Sequence, residues 1–111
     1  MSSGGPTIDL EETDNEVIVW AELPGLDKDD FTAEVMGNRL VLRGAKRHET
    51  EERRQGYYYA ERSYGAFARA IALPCVVDVG KATATHKNGL LRITLPKTAQ
   101  AKANRVTVQA R

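Results

Sequence analysis

The sequence predicts an all-β fold, a single antiparallel sandwich, and three observations carry that prediction. Apolar residues recur at every second position in successive stretches. Pro-Gly, Gly-Asn and Asn-Gly pairs punctuate those stretches at short intervals. No segment longer than about ten residues shows a convincing helical period. About seven or eight short strands in one small chain make an antiparallel sandwich, and 111 residues suit one domain.

Each element follows in order. In "EVIVWAELPG" Val17, Val19, Ala21 and Leu23 share one face and Ile18, Trp20 and Glu22 the other, until Pro24-Gly25 stops the strand. "FTAEVMGNRLVLRG" reads as a hairpin about Gly37-Asn38, residues that tolerate the positive φ of tight turns. That turn sets Val35 opposite Leu40 and Ala33 opposite Leu42, with the apolar faces on the same side. "KRHETEERRQG" mixes both charges without helical recurrence and is expected to be a long solvated loop. "YYYAERSYG" and "AFARAIALP" follow, rich in aromatic and small apolar residues and closed by Pro74. "KATATHKNGLLRITLPK" gives two strands joined through His86-Lys87-Asn88-Gly89, with Leu91, Ile93 and Leu95 facing inward in the second.

Composition narrows the function classes. A hydrophobic content of 41% is enough to build a core, so wholesale disorder is not expected. Sixteen basic residues against fifteen acidic leave a net charge of +1, too little to steer the chain to nucleic acid or an acidic membrane. No apolar run reaches the roughly 20 residues needed to span a bilayer. "MSSGGPTIDL" lacks the basic and apolar regions of a secretory signal, and residues 1–6 are read as a tag or the remnant of a trimmed arm. The single cysteine, Cys75, forms no internal disulfide, which suits a reducing cytoplasm.

Catalytic patterns are missing. His48 sits in the charged loop and His86 beside a turn, and both are expected to be exposed polar residues without metal. Cys75 follows Pro74 with no helix N-terminus to activate it, so an inert, buried or half-buried thiol is expected. "VGKAT" at 79–83 lacks the first glycine and the terminal hydroxyl of a phosphate loop. Lys46-Arg47 and Arg53-Arg54 lie near tyrosines of the kind that stack on bases, but Glu49, Glu51 and Glu52 interleave and repel phosphate. On pattern alone the chain is a non-enzymatic binding domain, with no cofactor and no metal expected.

Three stretches together resemble the small heat-shock protein family, whose core is the α-crystallin domain. "AELPGLDKDDFTAEV" is similar to its A-x-L-P-G-x-x-K-x-D segment, and "YGAFARAIALP" to its G-x-F-x-R-x-x-x-L-P segment. The signature A-x-x-x-x-G-x-L is met by Ala84, Gly89 and Leu91. The resemblance implies an immunoglobulin-like β-sandwich over residues 7–97 with a flexible C-terminal extension over residues 98–111. It implies a bacterial or plant type of ATP-independent holdase, which binds non-native client proteins and prevents their aggregation during stress. It further implies a dimer in which a strand carried on the charged loop, Tyr57, Tyr58, Tyr59, Ala60, Glu61 and Arg62, is exchanged between subunits. The alternative for that segment is pairing within its own chain. Arg69 matches the family arginine, and its alternative is an ordinary outward-facing strand residue. Ala72 stands where animal members often have arginine, and the long N-terminal arm usual in the family is not seen.

The resemblance also gives "NRVTVQAR" a meaning. Val106 and Val108 fit the family's terminal I/V-x-I/V motif, behind a linker over Thr98–Asn104. They are expected to dock by strand addition between the strand Phe31–Met36 and the strand Lys81–His86 of another subunit, on a groove lined by Ala33, Val35, Ala82 and Ala84. A dimer with further contacts through the tail is the expected assembly. The rival on the same sandwich is a monomeric co-chaperone or adaptor domain for one defined partner, which generally lacks both the loop and the valine motif.

Overall fold

A computed structural model of the chain describes residues 6–46 and 65–103. The charged loop from Arg47 onward, the exchange segment Tyr57–Arg62 and the tail valines Val106 and Val108 lie outside the described residues. Among the described residues seven strands form two antiparallel sheets. They are β1 (Ile8–Glu12), β2 (Glu16–Glu22), β3 (Phe31–Met36), β4 (Arg39–Lys46), β5 (Gly65–Ala72), β6 (Thr83–Lys87) and β7 (Leu90–Pro96). One sheet has the order β1-β2-β7-β6 and the other β3-β4-β5. No described helix is long and apolar enough to cross a membrane.

Alternation places the core. Val17, Val19, Ala21 and Leu23 from the β2 stretch meet Leu91, Ile93 and Leu95 of β7 and Leu40 and Leu42 of β4, all buried. The β3–β4 register sets Val35 opposite Leu40 and Ala33 opposite Leu42, as the Gly37-Asn38 turn predicts. Only Gly37, at φ +65°, takes the left-handed conformation in that turn, whereas Asn88 (φ +51°) and Gly89 (φ +79°) both take it between β6 and β7. Two positive φ values in succession make the second turn type I′, whose twist suits the flanking strands.

Four local readings differ from the sequence expectation. Ile18 lies on the outer side of β2 yet is buried, flanked in register by Glu11 and Thr94. Lys81 belongs to a 3-10 turn (Val79–Lys81) instead of a strand, because its N–H returns to the Asp78 carbonyl at 3.0 Å. The linker after Thr98 contains a helix, α1 (Ala99–Ala103), in which the Ala101 N–H donates to Thr98 Oγ1 at 3.0 Å. That is an N-cap bond, which the polar and alanine-rich sequence permits. His86 is half-buried and not exposed, for reasons that belong to the edge it occupies.

Candidate functional site

β3 and β6 are edge strands of opposite sheets among the described residues, and a Phe31–His86 ring contact links them. The approach to β3 is fixed by the Leu23–Asp30 segment. Leu26 N donates to Leu23 O at 3.2 Å across the Pro24-Gly25 turn, and Asp27 N donates to Asp30 Oδ2 at 2.8 Å. Leu23 N also donates to Gly89 O at 2.7 Å, tying this turn to the β6–β7 hairpin. A Cβ on Gly89 would stand 3.4 Å from Pro24 Cα, so the two sequence motifs that contain these residues touch each other.

Residues directly opposite on antiparallel neighbours point to the same face. Ala33 is opposite Leu42 and Ala84 opposite Ile93, both partners being core residues, so both alanines face the other sheet. Both are nevertheless exposed. An inward-facing residue exposed on an edge strand marks a place where the sheets separate before their side chains meet. Val35, opposite Leu40, and Ala82, just before β6, are half-buried and pack on the core.

The other end of the seam is closed by Phe31 and His86, whose rings meet edge-to-face with centroids 5.0 Å apart and planes at 75°. His86 is opposite Leu91, so its imidazole faces inward, and its Nε2 is buried without a hydrogen-bond partner among the described residues. A hollow at this end is lined by Asp29, Phe31, Ala84, Thr85, His86 and Leu91. The sequence reading of the seam omitted Phe31 and His86. The signal existed, since each is the next position in the same alternation, Phe31 before Ala33 and His86 after Ala84.

On the opposite side of the sandwich, Arg69 is opposite Leu42, so it faces inward and not outward. Its Nη1 donates to the Pro6 carbonyl at 2.8 Å, joining β5 to the segment that enters β1. Arg69 is half-buried, whereas Lys97 is buried, its Nζ 2.7 Å from Glu12 Oε2. Cys75 is a free, half-buried thiol packed against the core. Among the described residues no three His, Cys, Asp or Glu side chains gather into a possible metal site.

Known proteins share this architecture. The structure of heat shock protein 16.0 from Schizosaccharomyces pombe matches with a TM-score of 0.76 at 31% identity, covering 98% of each chain. A small heat-shock protein from Xylella fastidiosa matches with a TM-score of 0.67 at 32% identity, over 98% of this chain and all of that one (100%). Small heat shock protein C4 of Rickettsia felis is 37% identical over 103 residues, which are 93% of this chain and 63% of that protein. Spore protein SP21 of Stigmatella aurantiaca is also 37% identical, over 93% of this chain and 61% of its own length. The chain therefore spans less than two thirds of both curated relatives. The model of the Hsp20/alpha crystallin family matches residues 9–109, and the chain belongs to that family.

Proposed function

We propose that this chain is the working sandwich of an ATP-independent holdase, binding non-native proteins along extended apolar segments and keeping them from aggregating. The observation that carries this reading is the pair of inward-facing yet exposed alanines, Ala33 and Ala84, on facing edges of the two sheets. Small side chains there leave room for a strand whose alternate residues are β-branched, and an edge strand has backbone groups free to receive it. The chain's own Val106 and Val108, or a client segment of the same pattern, are the occupants. Burying two valines is worth about 3–5 kcal/mol, and ordering the backbone removes much of it. A single tail therefore exchanges readily, while several tails on one assembly act together through effective concentration.

The subunits pair by exchange of Tyr57–Arg62 onto the outer edge of β1, which has no partner strand among the described residues, and tails extend the assembly. The Xylella relative is described as having a distinct high order structure, which supports self-association in this one. No chemical step is assigned to the chain, and its unpaired cysteine suits a cytoplasmic location. The test is light scattering of a heat-labile client with and without this protein, in the absence of nucleotide. Suppressed scattering is expected. Unchanged scattering at an excess of this protein overturns the proposal.

A further inference from the structure

β1 is held by little apolar burial. Ile8 is half-buried and the other four positions are exposed. Its ladder to β2 has a definite parity. Glu22 N donates to Thr7 O at 3.0 Å and Thr13 N to Glu16 O at 2.8 Å. Odd-numbered residues therefore bond to β2, and the backbone groups of Ile8, Leu10 and Glu12 point away from it along the sheet.

Apolar pattern alone does not keep that edge in place. Ile8 and Leu10 share a face, so a two-residue shift would exchange one aliphatic side chain for the other without turning the strand over. The turn after β1, where Glu16 N donates to Thr13 Oγ1 at 2.9 Å, fixes one end. Beside it, Lys97 pairs with Glu12 at 2.7 Å, and its side chain is only 6% exposed. Losing Glu12 would leave a buried ammonium without its carboxylate, which strongly disfavours any shift. At the far end Arg69 donates to Pro6 O from the opposite sheet. A two-residue shift would move that carbonyl by about 7 Å, beyond hydrogen-bond reach.

We propose that Arg69 and Lys97 are positioning residues for subunit pairing. By pinning both ends of β1 they hold its free edge straight and in register for a strand from a second copy of this chain. This rests on the strand-exchange reading above. The experiment combines sedimentation equilibrium with amide exchange at Asp9 and Glu11, comparing the wild-type chain with Arg69→Ala, Arg69→Lys and Lys97→Met. Arg69→Ala is expected to weaken pairing about tenfold, the worth of one charge-assisted hydrogen bond. It should also speed exchange in β1 while leaving β3 and β4 unchanged, and Arg69→Lys should restore part of both. Lys97→Met fills the same space without the pairing, and the same two readouts should move in the same direction. Unchanged exchange in β1, or faster exchange with undiminished pairing, overturns the proposal. If the wild-type chain does not pair, or crosslinks only away from β1, strand exchange is what fails. The exchange rates at Asp9 and Glu11 still decide whether Arg69 pins the strand.

Discussion

The two sides of the sandwich are built oppositely. Along the β1/β5 side a long side chain crosses the gap, Arg69 reaching the Pro6 carbonyl, and Glu12 and Lys97 close the same strand's other end. Along the β3/β6 side the inward positions include the short and exposed Ala33 and Ala84, and Phe31 and His86 are in contact at one end. Both sides rest on the same core of Leu40, Leu42, Val19 and Ile93. Residue length at a few edge positions therefore decides which side is latched and which stays open.

The largest expected effect removes the support common to both. Leu42→Ala or Leu91→Ala, at fully or nearly fully buried positions, should cost about 2–5 kcal/mol. A thermal melt reads this directly, and an unaltered midpoint would show that the inward face is misassigned. Next, replacing both Val106 and Val108 by Gly removes the proposed occupants of the receptive side, worth about 3–5 kcal/mol before ordering costs. Assemblies larger than the dimer should disappear in light scattering, while dimer and melting behaviour persist. An unchanged size distribution would mean that the tail builds nothing.

Filling the seam sharpens the contrast. Ala84→Leu should place apolar atoms where the sheets fail to meet, leaving thermal stability within about 1 kcal/mol, because the site is open and not overpacked. Client suppression and tail-dependent assembly should both fall. Retention of both would move the binding site elsewhere. Smaller still is Gly89→Ala, which forces a Cβ into a φ of +79° beside Pro24. The strain should cost about 1–2 kcal/mol in a melt, without abolishing tail binding. Smallest of all, Lys81→Ala breaks an exposed 4.0 Å pair with Asp78 and should shift stability by about 0.5 kcal/mol or less.

Much of this was legible in the sequence because it depends on neighbours. Alternation in β2 and β7 names the buried residues, and Gly37-Asn38 fixes the partners of Ala33 and Val35. The same alternation assigns Ala33 and Ala84 to the inward face. Their exposure depends on how far the edge strands overhang one another, which no local pattern records. Arg69 illustrates the limit most clearly. Alternation with Phe67 and Ile71 sets its face, but its hydrogen-bond partner is 63 residues away in sequence, so only the fold reveals what it holds. The facing of His86 was readable from the Ala84 alternation, but its cover, Phe31, comes from the other sheet. The helix at Ala99–Ala103 is too short to display a period at all.

That short helix has a mechanical consequence. Five residues coiled as α1 advance about 7 Å, whereas the same five fully extended would cover about 17 Å. So brief a helix is marginal without outside support, and its Thr98 cap is a single hydrogen bond. Unwinding it would lengthen the leash ahead of the terminal valines by about 10 Å. On the proposed role of the tail, heat or a competing ligand that melts one turn would thereby change which neighbouring subunit the tail reaches.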